Sequence, residues 1–297
     1  MLRPQLGRPG RSHYGKGETV VYRLQRDYQA PPGELPVLGA KLTLFIWGEA
    51  FWPTYTSGDN TNLVATDSMK NFLQRETLNY AGHTLEGLAH FLAGKFMATY
   101  PQAEGAELYA EQIPFEALSG QGPGLRPASG PRATARVLFT RSGGEPVLSG
   151  LVCGLSGFEL LRLSGSAFTG FVRDAYTTLP ENKNRPLRMM LNAEWTFADL
   201  GAGLAARSGP AVRERVERTF EGFSSGSIQE VLYQMGTRVL SELPVIERLE
   251  LEGQNHTWEA VAERDETLGV FTISKPFYGI LGLSLTREDL PNEGAPG

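Results

Sequence analysis

The stretch Leu187-Arg-Met-Met-Leu-Asn-Ala-Glu-Trp-Thr-Phe197 places an apolar side chain at every second position. That period is typical of a β-strand with one buried face. Two amphipathic helices are predicted after it, over 210–223 and 227–240. In the second helix Ser227 and Glu230 have the spacing of a capping box, and the predicted core face consists of Ile228, Val231, Leu232, Met235 and Val239.

Predicted strands flank this helix pair on both sides. One further strand, 147–163, precedes the pair, and the strands 245–251 and 278–286 follow it. The first half of the chain repeats the order, with strands predicted at 18–26 and 41–51, helices at 67–78 and 84–100, and strands at 106–115 and 133–141. Apolar residues alternate in the second of these strands and share one face of the second helix: Leu42, Leu44 and Ile46, and Leu85, Leu88, Ala89, Leu92 and Phe96. Each half is therefore predicted as strand, strand, helix, helix, strand, strand. This order indicates an α+β fold, a tandem duplication of an antiparallel sheet backed by helices.

The predicted sheets have only one helix-covered face. A turn at Pro31-Pro32-Gly33 makes the first two strands antiparallel neighbours. Because the second face of each sheet also needs cover, we expect oligomerisation to close the sheets into a larger barrel, which also removes exposed strand edges.

Composition limits the classes of function. The chain has 297 residues, enough for two domains of common size, and we expect these over 1–143 and 144–297. A net charge of -5 without a basic run argues against nucleic-acid binding. The single cysteine, Cys153, cannot form an intrachain disulfide, and no Cys/His spacing fits a metal site. Without an apolar run of signal-peptide or membrane-span length, we expect a cytoplasmic protein that does not bind membranes.

One motif has the form of a dinucleotide fingerprint. Gly201-Ala-Gly203-Leu-Ala-Ala206 follows a predicted strand and precedes a helix. The surrounding pattern is antiparallel and no parallel βαβ unit follows, so the motif does not predict a nucleotide site. A loop is the favoured interpretation.

Two predicted helix starts carry polar groups that suit an electron-rich ligand. Thr66-Asp67-Ser68 opens the first helix of the first half, and either caps it or presents hydroxyl and backbone N–H groups to an anion. Ser227 opens a helix in the second half, and the repeated order places the two starts at comparable positions. Taken alone, Phe168, Arg185 and Gln229 are a core aromatic, a surface cation and a solvated amide; together they have the chemistry that purine recognition requires.

Several blocks of sequence, in order along the chain, are similar to signatures of one family. They are Tyr14-Gly15-Lys16, Gly58-Asp59-Asn60, Val64-Ala65-Thr66-Asp67-Ser68-Met69-Lys70-Asn71, Ser156-Gly157 and Phe168-Thr-Gly-Phe-Val-Arg-Asp-Ala-Tyr-Thr-Thr-Leu179. On these blocks the chain resembles the urate oxidases (uricases) from about residue 14 to 287. The resemblance implies two tunnelling-fold (T-fold) domains per subunit and a homotetramer with active sites at subunit interfaces. It also implies a reaction without metal or cofactor, in which urate and dioxygen give 5-hydroxyisourate and hydrogen peroxide.

The resemblance assigns substrate-binding roles to residues from both halves of the chain. Arg185 and Gln229 would pair with the edges of urate, and Phe168 would stack on its ring. The backbone N–H groups of Asp67 and Ile228 would bind ring oxygens.

A proton relay is implied in the same way. Lys16 would take a proton from Thr66, whose hydroxyl also contacts the substrate and accepts a proton from it, and His256 would complete the relay. Alignment on His256 places Gln254 where the family has an asparagine that faces dioxygen. Because glutamine is one carbon longer, the oxygen position would shift.

Two alternatives follow from these features. If Gln254 disables the oxygen chemistry, the chain is a purine-binding T-fold protein, a sensor or a carrier, without oxidase activity. Pterin and GTP-processing enzymes share the fold, but their sites need metal-binding histidines or a nucleophilic cysteine, and Cys153 lies in an apolar strand. The C-terminal Ala295-Pro296-Gly297 is not a peroxisomal address, which agrees with the expected cytoplasmic location.

Overall fold

The computed structural model describes residues 12–26, 35–119, 124–256, 258–265, 267–273 and 278–291. The predicted turn at Pro31-Pro32-Gly33 lies outside these ranges. Among the described residues, no helix combines the length and the apolar character that crossing a membrane requires.

The described chain consists of strands and helices in mixed order. The strands are β1 (Tyr14–Leu24), β2 (Val37–Trp47), β3 (Gly105–Ile113), β4 (Phe115–Ala117), β5 (Leu125–Pro127), β6 (Arg132–Ser142), β7 (Glu145–Phe168), β8 (Asn182–Phe197), β9 (Ile246–Asn255), β10 (Glu259–Asp265), β11 (Leu268–Thr272) and β12 (Gly279–Thr286). The helices are α1 (Trp52–Ser57), α2 (Thr66–Glu76), α3 (Leu85–Thr99), α4 (Leu200–Ala206), α5 (Gly209–Gly222) and α6 (Ile228–Glu242).

The chain forms two compact units. The first contains Met1–Cys153 and Asp199–Arg207, and the second contains Gly154–Ala198 and Ser208–Gly297. The division falls within β7, a strand of 24 residues.

In the first unit, hydrogen-bonded strands follow the order β1, β2, β3, β6 and β7. The β1–β2, β2–β3 and β3–β6 pairs are antiparallel. Helix α3 packs on β2, β3 and β6, and α2 packs on β1. The predicted apolar faces of β2 and α3 are confirmed as the core between sheet and helix, because these side chains are buried: Leu42, Leu44, Ile46, Leu85, Leu88, Ala89, Leu92 and Phe96.

In the second unit the order is β7, β8, β9 and β12, and the β8–β9 and β9–β12 pairs are antiparallel. Helix α6 packs on β9 and β12, and α5 packs on α6. The alternation that predicted β8 is confirmed by the burial of its odd-numbered side chains, and the predicted core face of α6 is buried as well. The β8 residues are Leu187, Met189, Leu191, Ala193 and Trp195.

Some local predictions were wrong. Residues Gly201 to Ala206 are helical rather than a loop, since Asp199 caps α4 by accepting the backbone N–H of Ala202 at 3.0 Å. This cap stabilises a short helix despite its two glycines. Helix α1 and the hairpins β4–β5 and β10–β11 were not predicted, because these elements are too short or too irregular to show a clear period in the sequence.

Candidate active site

Lys16 lies on β1 beside a break in its pairing with β2. Its partner across the pair is Leu44, which is completely buried in the core between sheet and helix, and residues directly opposite share a face. Lys16 therefore lies on the helix-covered face of the sheet and is partly exposed. The register shifts between Lys16 and Thr19, where Glu18 has φ of 53°. A bulge of this kind bends the strand and re-aims its neighbouring side chains.

The start of α2 presents backbone and hydroxyl groups to solvent. Its N-cap is Ala65, which has no side-chain oxygen, so the interpretation of Thr66 as the helix cap was wrong. The first intrahelical bond runs from Met69 N–H to the Ala65 carbonyl at 3.1 Å. The N–H groups of Thr66 and Asp67 precede it and have no intrahelical acceptor. An exposed Thr66 hydroxyl lies beside them.

The carboxylate of Asp67 is occupied within its own helix. Lys70 Nζ donates to one oxygen at 2.6 Å and Asn71 Nδ2 donates to the other at 2.8 Å. The pKa of Asp67 is lowered, chiefly by the hydrogen bond from Lys70 and in smaller part by the charge of Lys16. Helix α2 packs on β1, the strand that carries Lys16, and the group that Asp67 can offer a ligand is its backbone N–H.

Tyr14 fixes the loop that leads into α2. Its hydroxyl accepts the backbone N–H of Val64 at 3.0 Å, and its ring contacts Phe51 edge-on at 5.3 Å. Burial raises the pKa of Tyr14 to about 12. Because Val64 is two residues before Thr66, one strand carries both Lys16 and the tyrosine that anchors the loop beside it.

An open cavity of about 920 Å³ in the second unit is bounded by elements from several parts of the chain. The ends of β7 and β9, the start of β8, the start of α6 and the β10–β11 hairpin all contribute. Of the residues singled out from sequence, Phe168, Arg185, Ile228 and Gln229 line this one cavity.

Phe168 and Arg185 are in direct contact. The Arg185 guanidinium carbon lies 5.5 Å from the centroid of the Phe168 ring, and Phe171 stacks on the same ring at 4.9 Å and 13°. Nε of Arg185 is buried and has no hydrogen-bond acceptor among the described residues. Burial also lowers the pKa of Arg185, although an arginine stays protonated. A buried donor without an acceptor, beside an aromatic face, suits a planar ligand with electronegative edges.

The start of α6 brings Ile228 and Gln229 to this cavity. Ser227 Oγ accepts the Glu230 N–H at 3.1 Å, but Glu230 accepts from Gly226 N rather than from Ser227, so only half of the predicted capping box is present. Val231 donates the first intrahelical bond, and the N–H groups of Ile228 and Gln229 precede it. In element order α6 corresponds to α3, not to α2. The starts of α2 and α6 are therefore not at comparable positions, contrary to the expectation from sequence.

Comparison with known proteins gives consistent matches along the chain. A family model described as Uricase matches residues 151–272. The uricase of Haloferax volcanii is 34% identical over 95% of this chain and 100% of its own length. The chain belongs to the uricase family.

Other relatives cover most of the chain. The uric acid degradation bifunctional protein PucL of Bacillus subtilis is 37% identical over 94% of this chain. The chain spans 62% of the length of that relative and 61% of the bifunctional protein of Bacillus sp. TB-90. A hyperthermostable mutant of the Bacillus sp. TB-90 urate oxidase has a similar structure, with a TM-score of 0.85, 31% identity and coverage of 94% of this chain and 100% of its own.

In this uricase-family chain Asn255, rather than Gln254, lines the cavity. Successive residues of a strand point to opposite faces, and the buried residues Leu249, Leu251 and Gly253 place Asn255 on the helix-covered face. Gln254 lies on the other face, with its Nε2 3.4 Å from Glu252. Counting the alternation of β9 from its buried residues would have found Asn255 from sequence.

His256 also lies away from the lining of this cavity. Its ring packs beside Tyr278 at 4.8 Å between centroids, and Nε2 is 3.4 Å from Gln254 Oε1. Its backbone N–H donates to the Arg188 carbonyl at 3.0 Å. The structure therefore brings His256 and Gln254 together, on a different face from Arg185 and Asn255.

The predicted site residues of this family member form two groups. Lys16, Thr66 and Asp67 belong to the first unit, and the aromatic, guanidinium and amide groups belong to the second. In the described ranges, no cluster of three or more His, Cys, Asp or Glu side chains could hold a metal ion.

Proposed function

We propose that this chain is a urate oxidase that acts in urate degradation. The observation that carries the proposal is the cavity lined by Phe168, Arg185, Ile228 and Gln229 in a chain of the uricase family. Urate, dioxygen and water give 5-hydroxyisourate and hydrogen peroxide. Urate loses two electrons, dioxygen takes up two electrons and two protons, and water supplies the added hydroxyl group.

The second unit binds the substrate ring. Arg185 donates its buried Nε–H and a terminal N–H to one edge of urate, because a guanidinium fork matches adjacent acceptors. Gln229 donates to and accepts from the same ring, whose plane stacks on Phe168. The N–H of Ile228 binds a ring oxygen at the positive end of α6. These contacts hold the ring in one orientation for the oxidation.

The first unit removes a proton. Lys16 accepts the proton of the Thr66 hydroxyl, which in turn accepts one from urate, and the N–H of Asp67 binds a substrate oxygen. The lowering of the Asp67 pKa by the charge of Lys16 supports this pairing. His256 is the third member of the relay, with Gln254 Oε1 at 3.4 Å as its partner. Deprotonated urate is electron-rich enough to reduce dioxygen. The role of these residues is therefore to bind, orient and deprotonate urate.

An amide side chain at the end of β9 faces the dioxygen or water position. Asn255 is the better placed of two adjacent amides, because it shares the cavity with Phe168 and Arg185. If Gln254 instead takes this role, the end of β9 must rotate in the assembled enzyme so that Gln254 and Asn255 exchange faces.

Complete sites form between subunits of a homotetramer. Each half, 1–143 and 144–297, is one T-fold domain, and two parallels support the duplication. In each unit the helix pair follows two adjacent strands and precedes the next two strands of the sheet. In each unit an arginine also bonds the carbonyl end of the long helix: Arg141 at α3 and Arg287 at α6. Closing the sheets into a barrel brings a first unit against a neighbour's second unit.

We place the enzyme in the cytoplasm.

Urate turnover tests the proposed function. Purified protein, dialysed against a chelator, is mixed with urate in air-saturated buffer, and the loss of urate absorbance and the release of peroxide are followed together. We expect one peroxide per urate, and Thr66→Ala to lower turnover about 10²-fold while Thr66→Ser keeps most of it.

The same assay separates the competing explanations. Binding of a urate analogue such as 8-azaxanthine without any turnover of urate would support a non-catalytic purine-binding protein instead. A protein that neither binds the analogue nor consumes urate would exclude both.

A further inference from the structure

Arg162, near the end of β7, forms a dense set of hydrogen bonds. One terminal nitrogen donates to the Phe220 carbonyl at 2.9 Å and to the Phe223 carbonyl. The other donates to the Gly165 carbonyl at 3.0 Å and to Ser225 Oγ at 2.8 Å. One side chain thus joins its own strand to the end of α5 and to the segment between α5 and α6.

The surroundings of Arg162 suit a fixed guanidinium. Its carbon lies 5.4 Å from the ring centroid of Phe220 and 5.8 Å from that of Phe223. Burial lowers the pKa of Arg162, and the carbonyl end of α5 favours a cation there. Charge-assisted bonds to four acceptors, shielded by two rings, hold this segment more firmly than neutral bonds would.

The segment that Arg162 holds is also bonded to the end of β7, next to Phe168 of the cavity lining. Ala167 N–H donates to the Ser225 carbonyl at 2.7 Å, and Ser225 N–H donates to the Gly165 carbonyl at 2.9 Å. Phe168 follows Ala167 directly, and α6 begins three residues after Ser225. The distance between the Phe168 ring and the start of α6 is therefore set by Ser225 and Arg162.

We propose that Arg162 is a positioning residue for the urate ring, acting through Ser225 on Phe168 and on the start of α6. The proposal rests on the proposed function, because it explains how the stacking face and the N–H and amide groups of Ile228 and Gln229 keep the spacing of a single planar ligand. Lysine keeps the charge but cannot fork to four acceptors, so Arg162→Lys should loosen that spacing.

The first unit contains a matched control. Arg141 donates to the carbonyls of Ala103, Gly144, Met97 and Tyr100, at the end of α3. Arg141 has the same capping chemistry, but no proposed site residue lies next to its hydrogen-bond partners in the sequence. Arg141→Lys should therefore cost stability without changing substrate affinity.

Anaerobic titration calorimetry with urate, which measures binding without turnover, tests the proposal. We expect Arg162→Lys to bind urate about tenfold more weakly and to raise KM by the same factor, since small displacements of positioning groups have effects of this size. The shape of the pH profile of turnover should stay unchanged, because Lys16 and Thr66 are untouched. Arg141→Lys should lose a similar number of degrees in Tm and bind urate like the wild type.

If Arg162→Lys and Arg141→Lys lose the same number of degrees in Tm, and Arg162→Lys binds urate like the wild type, then Arg162 is only structural. If Arg162→Lys fails to fold, Ser225→Ala removes one acceptor and keeps the backbone bonds. It should weaken binding about threefold, whereas Ser241→Ala, an exposed hydroxyl on α6, should not; equal affinities would overturn the proposal. A wild type that binds urate without oxidising it would refute the proposed function alone, and the affinity comparison would still decide the role of Arg162. A wild type that does not bind urate would refute both.

Discussion

Single side chains in this chain fix backbone far from them in sequence. Tyr14 accepts a hydrogen bond from Val64, and Arg162 reaches across about 60 residues to Phe223. Such bonds follow no sequence period. Tyr14 is therefore recognisable only within its Tyr-Gly-Lys block, and nothing in the sequence around Arg162 predicts its partners. The choice of Asn255 over Gln254, by contrast, follows from the alternation of β9 and could have been predicted.

Removing the Tyr14 hydroxyl tests whether the loop before Thr66 needs its anchor. Tyr14→Phe leaves the Val64 N–H without its acceptor, and we expect a loss of about 1 kcal/mol in unfolding free energy together with slower urate turnover. Denaturant unfolding and steady-state kinetics measure the two effects. Tyr22→Phe is the control, because Tyr22 is 54% exposed and its ring contact with Phe115 survives the change. Equal behaviour of the two variants would remove Tyr14 from the account of the site.

A partly buried carboxyl in the first turn of α3 makes stability depend on pH. Burial raises the pKa of Glu86, opposed by its own backbone N–H and by Arg207. As pH rises from the usual glutamate pKa of about 4.3 to the raised value, the unfolded chain has released its proton while the folded chain retains it, so folding stability falls.

Glu86→Gln removes this titration. Its unfolding free energy relative to the wild type should therefore rise between pH 4 and pH 7, measured by denaturant unfolding at several pH values. A difference that stays constant over this pH range would contradict the assigned cause.

Secondary-structure elements with a strong period were predictable, and the others were not. The alternation in β2 and β8 and the apolar faces of α3 and α6 identified both the elements and their core side chains. The hairpin β10–β11 is almost wholly exposed, so burial left no period in its sequence. α4 contains two glycines and depends on its Asp199 cap, which made a loop the natural prediction.

Close packing between two strands gives a test at the scale of elements. Gly105 of β3 pairs with Trp47 of β2, and a Cβ on Gly105 would lie 2.1 Å from the buried indole ring. Gly105→Ala should therefore lower the unfolding free energy by about 1–3 kcal/mol, as overpacking does. Gly222→Ala is the control, because a Cβ there meets no described residue within 4 Å. A Gly105→Ala protein as stable as this control would mean that the sheet yields more easily than its packing indicates.

At the scale of the whole molecule, the two halves offer complementary chemistry. The first unit carries the lysine, the hydroxyl and a free helix start, and the second carries the aromatic face, the guanidinium and the amide groups. The repeated order of elements was predictable because both halves have the same sequence periods. The proposed assembly of subunits is not encoded in any such period.

Subunit mixing tests the central claim, that urate is oxidised at a site built from Thr66 of one subunit and Arg185 of another. Thr66→Ala and Arg185→Ala proteins, each of which should turn over urate far more slowly than the wild type, are unfolded together and refolded as a mixture, and each is refolded alone as a control. If the site is shared, random assembly leaves about a quarter of the sites with both native residues, and urate oxidation returns to about that fraction of the wild-type rate. A mixture as inactive as its components, from a wild type that refolds to full activity, would contradict the claim.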